Sequence, residues 1–390
     1  MVKILVICQY YSPEPFRIAD ICEALVKEGN EVDVVTSFPN YPMGEIYEGY
    51  KNGEHKDEKI NGVYVHRVFT IGRKTGTLYR FINYYTYSIA SMRYVSKLKK
   101  EYDVVFVYQL SPVMMAEAAL RYKKRFGKKV VLYCLDLWPE SLTLGGIKKD
   151  GLIYSYYKKL SEKIYGNVDK IMVSSRMFAG YLKDVLNIEN DKIQYLPQYA
   201  EDVFYLSDKR SADSVNITFA GNIGTTQSIE TILYAAQKLK DKNIHFNFYG
   251  DGSGFDTMVS LSQKLQLENV TFHGRVPIEA LPEKYAKSDA LIVTLSDNAV
   301  LSMSFPGKIQ SYMAAGKPIV AALNGEAARI ISEADCGFVS SAEDVDGLVC
   351  CIEKLICADK ALLGKNSRAY YEKCFQKEAF INKLLEILAE

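Results

Sequence analysis

Lys3-Ile4-Leu5-Val6-Ile7-Cys8 is followed by Ile18-Ala19-Asp20-Ile21-Cys22-Glu23-Ala24-Leu25-Val26, then Gly29, then Glu31-Val32-Asp33-Val34-Val35-Thr36. The first and last pieces are short, nearly apolar and rich in Val and Ile, as strands covered on both faces are. In the middle piece Ile18, Ile21, Cys22, Leu25 and Val26 fall on one face of a helix, and Gly29 is placed to end it. Strand, helix, strand in that order implies a parallel α/β sheet.

The pattern continues outward. Further strand candidates cover residues 63–68, 104–108, 129–135 and 170–175. The alternation breaks at residues 196–214, where Leu196-Pro197-Gln198 leads into the polar stretch Ser207 to Ser214, an interdomain linker. It resumes with strands near 215–221, 244–250, 270–273, 290–295 and 318–323. The fold class expected is α/β, with two Rossmann-like parallel-sheet domains, residues 1–198 and 199–369, facing each other across a cleft. The last helical pattern, about residues 370–390, can cross back onto the first domain. Such domains bind ligands outside the carboxyl ends of their strands.

With 390 residues, 48% hydrophobic and 24% charged, the chain is neither disordered nor a small disulfide-stapled one. A net charge of +1 argues against a generally basic nucleic-acid binder. The charge is uneven, however. Residues 1–200 hold 29 Lys+Arg against 22 Asp+Glu, net +7, and the remainder holds 19 against 25, net −6. Eight cysteines, with no Cys-x-x-Cys pair and mostly apolar neighbours, read as buried free thiols of a reducing compartment. The start reads as a strand rather than a signal-peptide core, and no run reaches the roughly 18 consecutive apolar residues of a membrane span. The expectation is a cytoplasmic protein with at most peripheral membrane contact.

The second half carries three glycine-marked strand ends. They are Phe219-Ala220-Gly221-Asn222-Ile223-Gly224-Thr225-Thr226-Gln227, Tyr249-Gly250-Asp251-Gly252 and His273-Gly274-Arg275-Val276. One such end is an ordinary strand-to-helix turn. Three in one domain favour a nucleotide, because glycine lets backbone approach a ligand and a helix start offers free N–H groups to an anion. Lys308, in Phe305-Pro306-Gly307-Lys308, lies in the first turn of a helix, where the dipole disfavours a cation unless an anion is near. Its competing reading is a solvated surface lysine.

Together with Met313-Ala314-Ala315-Gly316-Lys317-Pro318, these segments resemble the donor domain of family 4 retaining glycosyltransferases, which have the GT-B fold. The first half agrees through Tyr10-Tyr11-Ser12-Pro13-Glu14-Pro15, Phe38-Pro39-Asn40-Tyr41-Pro42-x-Gly44 and Asp136-Leu137-Trp138-Pro139-Glu140-Ser141. This set is similar to the fucosamine-transferase-like branch that builds bacterial O-antigens and capsules. The resemblance implies a nucleotide-diphosphate sugar, most simply a UDP-sugar, held by the second domain and an acceptor held by the first. Asn222 matches a place where many relatives carry arginine, and Gln227 a place where many carry a phosphate-binding lysine. Arg275 and Val276 fall where the family's turn nears the base and phosphates, and Gly307 and Lys308 where amides and a cation reach the diphosphate. Gly221, Gly224, Thr225, Gly250, Asp251, Gly252, Ser311 and Glu326 complete the donor side; Tyr11, Pro13, Glu14, Tyr41, Trp138 and Glu140 form the acceptor side. The family often carries two glutamates seven residues apart that reach the sugar and the ribose. Met303 and Ser311 stand there instead, which leaves the donor sugar open, while the cations missing at Asn222 and Gln227 put more charge compensation on Lys308 and Arg275.

The chemistry needs stabilisation of charge on a departing diphosphate, which helix starts, amides and one or two cations supply without a metal or other cofactor. The acceptor proton can go to the departing phosphate oxygen. Asp136, ending an apolar strand, is the protein candidate for acceptor binding or proton handling; its bland reading is a helix cap or structural carboxylate. Trp138 reads as packing before sugar stacking. Glu326 stands evenly between a donor contact and a helix-start carboxylate. Asp344-Val345-Asp346 reads as helix-start charge rather than a metal pair, and no histidines show ligand spacing. Residues 73–102 interleave Tyr with Arg and Lys, and residues 121–129 add more cations, which suits an anionic membrane surface and a lipid-linked acceptor at the cytoplasmic leaflet. The rival functions are a sugar-nucleotide epimerase of the same architecture and a non-catalytic nucleotide-sugar-binding subunit.

Overall fold

A computed structural model of the chain describes residues 1–74, 76–204 and 214–390. It divides into two compact units, Met1–Leu196 with Ile381–Glu390, and Pro197–Phe380. Residues 205–213 of the expected linker lie outside the described residues, as does Thr75 of the basic aromatic segment.

The strands of the first unit are β1 (Lys3–Ile7), β2 (Glu31–Ser37), β3 (Asp57–Ile60), β4 (Val63–Val68), β5 (Val104–Gln109), β6 (Lys129–Cys134), β7 (Lys170–Val173) and β8 (Ile193–Tyr195). They form one sheet in the order β3-β4-β2-β1-β5-β6-β7-β8. Neighbours are parallel except β3 and β4, an antiparallel edge pair. The two strands of this sheet that the apolar runs did not reveal, β3 and β8, are half-exposed edge pieces with no fully buried residue. The helix Ile18–Lys27 buries Ile18, Ile21, Cys22 and Leu25 against the sheet, as its periodicity requires.

The second unit is built from β9 (Val215–Ala220), β10 (Ile244–Tyr249), β11 (Val270–Gly274), β12 (Ala290–Thr294), β13 (Ile319–Ala322) and β14 (Gly337–Ser340). All are parallel, in the order β11-β10-β9-β12-β13-β14. The strand order therefore reverses beside β1 in the first unit and beside β9 in the second, and each reversal leaves a crevice at the carboxyl ends.

The last helical pattern is broken into Lys360–Cys374 and Lys377–Ala389. The first of these stays in the second unit, where its Tyr371 hydroxyl accepts from the Ala200 N–H at 3.1 Å. Only Ile381–Glu390 joins the first unit, tied by Lys129 Nζ donating to the Ile387 carbonyl at 2.7 Å. All eight cysteines are free thiols, but Cys350 and Cys357 are exposed, because their helix turns those positions to solvent. No helix among the described residues is long and apolar enough to cross a membrane.

Candidate functional site

In the second unit, β9, β10 and β11 each end on glycine at positive φ: Gly221, Gly250 with Gly252, and Gly274. At Gly250, φ is +147° and a Cβ would stand 1.8 Å from the Gly221 carbonyl oxygen. Any side chain there would push the two turns apart. The helix Gly307–Ala314 follows β12, and Pro306 before it provides no side-chain cap. The Ile309 N–H turns back to the Pro306 carbonyl at 3.0 Å, and the Gly307 and Lys308 N–H groups have no partner among the described residues, as an anion site requires.

Lys308, in that first turn, folds back over the end of β9. Its Nζ donates to Gln227 Oε1 at 2.6 Å, lies 4.0 Å from the Phe219 ring centroid, and would be 3.2 Å from a Cβ on Gly221. Gly221, Gln227, Gly307 and Lys308, separated by up to 87 residues in sequence, thus meet in one place. No carboxylate faces Lys308 among the described residues, and burial alone lowers its ammonium to about 7. A half-buried lysine with only a neutral amide for a partner is where an incoming anion gains most.

The other donor-side residues differ in exposure and partners. Asn222, Thr225, Asp251 and Arg275 are exposed, and Gly224, Gly252 and Val276 are half-buried. Asp251 Oδ1 accepts the Gly252 N–H at 2.7 Å. Arg275 has no ion-pair partner among the described residues and follows β11, two strands from β9. Ser311 is nearly buried and its hydroxyl turns back to the Gly307 carbonyl at 3.4 Å. Glu326 is buried at the start of the helix Glu326–Glu333 and pairs with Arg329 at 3.0 Å, so its charge is already answered within its own helix. Asp344 caps the helix Val345–Cys357 by accepting the Gly347 N–H at 2.8 Å. Among the described residues no group of three His, Cys, Asp or Glu side chains could hold a metal ion.

In the first unit a cavity of about 370 Å³ lies at the carboxyl ends of β1, β2, β5 and β6. Tyr10, Phe16, Tyr41, Phe81, Tyr84 and Trp138 wall it, and Arg73, Arg80 and Asp136 bring charge to it. Tyr10 and Phe16 stack, and Tyr41 packs on both at a tilt, with ring centroids 4.9 to 5.8 Å apart. Asp136 Oδ2 accepts the Ser111 N–H at 2.8 Å, and its other oxygen has no partner among the described residues. Trp138 is 1% exposed, donates from Nε1 to Ser111 Oγ at 2.9 Å, and packs edge-on to Tyr84 and Tyr157. It is both packing and cavity wall.

Several acceptor-side expectations need correction. Tyr11 lies in the core at 1% exposure, and Tyr10 takes the cavity position. Consecutive residues leaving a strand point to opposite faces, so the pair cannot share the site. Pro13 is exposed but does not line the cavity. Glu140 is buried and held by Lys149 at 2.7 Å and the Tyr154 hydroxyl at 2.7 Å. Burial pushes its pKa up, but hydrogen bonds from Lys149, Tyr154 and Tyr181 outweigh this and leave it lowered. Glu14 is a staple between two loops. Its Oε1 accepts the N–H groups of Asn40 at 2.9 Å and Tyr41 at 2.7 Å, and its Oε2 that of Tyr11 at 3.3 Å. In the basic stretch 121–129, Arg121 and Arg125 donate to Ser96 and Lys123 pairs with Asp169, so these cations are engaged within the unit.

Glu14→Ala is expected to destabilise the protein by about 2–4 kcal/mol, since three backbone donors lose their acceptor. Chemical denaturation reads this directly. Burial raises the Glu14 carboxyl to about 7, against the lowering effect of its hydrogen bonds. A raised folded-state value means its contribution to stability is full below the unfolded value and lost as pH rises through about 7. Glu14→Gln should flatten that part of the stability–pH curve.

The site residues that sequence reasoning passed over are Tyr10, Phe16, Arg73, Arg80 and Tyr84. Arg73 and Arg80 fall in the 73–102 stretch that reads as a membrane-facing surface, since alternation of Tyr and Arg reads the same whether it faces a membrane or a pocket.

Comparison with known proteins agrees with this anatomy. The model for glycosyltransferase family 4 matches residues 17–198, and that for glycosyl transferases group 1 matches residues 214–358. WbjE of Pseudomonas aeruginosa, designated a glycosyltransferase, is 28% identical over 283 residues, 70% of each chain. WcaI of Escherichia coli K12, designated a colanic acid biosynthesis glycosyl transferase, is 24% identical over 90% of this chain and 88% of its own. The Anabaena protein HepE, solved in complex with UDP and glucose, superposes over the full length of both chains with a TM-score of 0.70 at 15% identity. Two doubly wound units and two family models that together span most of the sequence show a chain built of a glycosyltransferase family 4 domain followed by a glycosyl transferases group 1 domain, with the GT-B fold.

Proposed function

We propose that the protein transfers a sugar, with retention of configuration and without a metal, from a UDP-sugar to a lipid-linked saccharide in the synthesis of a bacterial surface polysaccharide. The observation that carries this reading is Lys308 Nζ, set over the end of β9 beside Gly221 and the open start of its own helix with no carboxylate facing it. That arrangement suits a diphosphate whose charge grows as its bond to the sugar breaks. The acceptor hydroxyl attacks the anomeric carbon, the bond to the diphosphate breaks, and the proton passes to the departing phosphate oxygen. Lys308, the helix amides and Arg275 would offset the charge on UDP. The HepE complex with UDP and glucose supports a uridine donor, and the WcaI likeness supports a polysaccharide setting.

Membrane contact is supported by an apolar rim beside the first unit's cavity. Leu78 is 71% and Leu152 90% exposed, and Tyr79, Leu144, Ile153 and Tyr156 are exposed with them. The helices Thr77–Lys97 and Leu152–Asn167 are joined there by the Tyr85 and Tyr157 hydroxyls at 2.8 Å. Lys74, Arg80 and Lys148 interleave, as at a peripheral contact with the anionic inner leaflet of the cell membrane. This moves the contact from residues 121–129 to residues 144–156, keeping the 73–102 stretch. Leu152→Ser with Ile153→Ser should weaken co-sedimentation with anionic vesicles about tenfold or more. Unchanged binding would leave the rim without a membrane role.

Calorimetric titration with UDP, GDP, ADP and CMP, first with chelator and then with Mg²⁺, tests the donor reading. Selective binding of UDP that ignores the metal is the expected result. Absence of nucleotide binding in both conditions would contradict it.

A further inference from the structure

We infer that Arg73, with Arg80, binds a phosphate-type oxyanion of the acceptor, so that the first unit recognises a phosphorylated or diphosphorylated saccharide rather than a neutral sugar alone. This rests on the reading of the first unit as the acceptor-holding one. Arg73 and Arg80 line the same aromatic cavity as Asp136, and no ion pair joins the three among the described residues. Two guanidinium groups against one carboxylate leave the cavity with a surplus positive charge.

Arg73 is held there by the fold. Its backbone N–H donates to Asn40 Oδ1 at 3.2 Å, and that same oxygen accepts from Asn83 at 3.3 Å. Asn83 Nδ2 also donates to the Ile71 carbonyl at 2.7 Å, and its Oδ1 accepts from Gln9 Nε2 at 2.6 Å. Gln9, Asn40 and Asn83 are fully buried. A Cβ on Gly72 would stand 2.6 Å from the Gly44 carbonyl oxygen, and one on Gly44, at φ +80°, 3.0 Å from the Arg73 carbonyl oxygen. The Asn40 and Gly44 of the sequence motif therefore fix the backbone that carries Arg73. So much structure behind one arginine is out of proportion to a surface cation.

Its guanidinium carbon lies 5.9 Å from the ring centroids of both Tyr41 and Tyr84, and it faces aromatic rings where a structural arginine would face a carboxylate. The Tyr10 hydroxyl beside it is buried and has the Arg73 guanidinium itself as its polar neighbour. A guanidinium and a hydroxyl thus present donors, and Asp136 presents an acceptor at another point of the wall. This sorts a ligand by chemistry, with an oxyanion toward Arg73 and Tyr10 and a hydroxyl toward Asp136. Arginine suits phosphate because its planar fork can give two parallel hydrogen bonds.

Trp138, the chain's one tryptophan, lines this cavity and reports on it. The test titrates inorganic pyrophosphate into the protein already saturated with UDP and reads Trp138 fluorescence; glucuronate is titrated in a second arm. The expected result is a saturable response to pyrophosphate whose midpoint rises about tenfold or more in Arg73→Met and partly recovers in Arg73→Lys. If Arg73→Met does not fold, Arg80→Met is expected to shift the midpoint the same way by a smaller factor. No saturable response in the parent, equal midpoints in parent and folded variants, or a response to glucuronate alone would overturn the inference. Failure of UDP to bind beforehand would instead count against the donor reading, and the Arg73 comparison would still decide this one.

Discussion

Lys308→Ala is expected to lower the transfer rate about 10²- to 10³-fold, the loss typical of removing one group that stabilises charge developing in a transition state. The argument is local. Lys308 Nζ has a neutral amide oxygen at 2.6 Å and an aromatic ring at 4.0 Å for neighbours, and burial lowers its pKa to about 7. A bound diphosphate would favour the charged form and raise that value. Binding of UDP therefore takes up a proton above about pH 7. Affinity should be greatest below that pH and fall as pH rises through it, until the pKa of the bound state is reached. In Lys308→Ala this dependence should vanish, and UDP should weaken more than uridine, because the cation acts on the phosphates. Calorimetry across pH 6–9 reads all three. Equal UDP affinity in variant and parent would remove Lys308 from the site.

Asp136→Asn is expected to lower transfer about 10²-fold while leaving UDP affinity unchanged. Asp136 sits in the other unit, at the end of β6, with one oxygen engaged by the Ser111 N–H and the other without a partner among the described residues. Asparagine keeps the shape and an oxygen for Ser111 but removes the charge that orients a hydroxyl. A fall in transfer with unchanged UDP binding and unchanged thermal midpoint assigns Asp136 to acceptor handling. An unchanged transfer rate would make it a structural link to Ser111 alone.

The parts of the molecule written as one-dimensional patterns were readable from the chain. Apolar runs give eleven of the fourteen strands among the described residues, and the stripe of Ile18, Ile21, Cys22 and Leu25 gives the first helix. The glycine-marked strand ends were legible as tight turns, since a positive φ at Gly250 demands glycine whatever surrounds it. The edge strands β3, β8 and β14 escaped because they bury no full residue and are only three or four residues long. Motif membership located loops but not the direction of side chains. Within Tyr10-Tyr11 the wrong tyrosine was favoured, and Glu14 and Glu140 proved to be joined to backbone amides in one case and to Lys149 and Tyr154 in the other. A carboxylate beside a proline reads alike whether it meets a ligand or its own backbone. Arg73 was hidden for the complementary reason: its role depends on Asn40, Asn83 and Gln9, which are distant in sequence and meet only when the sheet forms.

The most direct test of the central claim is a transfer assay that follows both substrates by mass spectrometry. Purified protein is mixed with a panel of UDP-sugars and a lipid-diphosphate-linked saccharide, with chelator present. The account predicts that the lipid acceptor gains one sugar residue as UDP is released in equal amount. Conversion of the sugar nucleotide to an isomer without change in the acceptor would contradict it and identify an epimerase. Tight UDP binding with no turnover of any donor would contradict it as well, and leave a binding subunit.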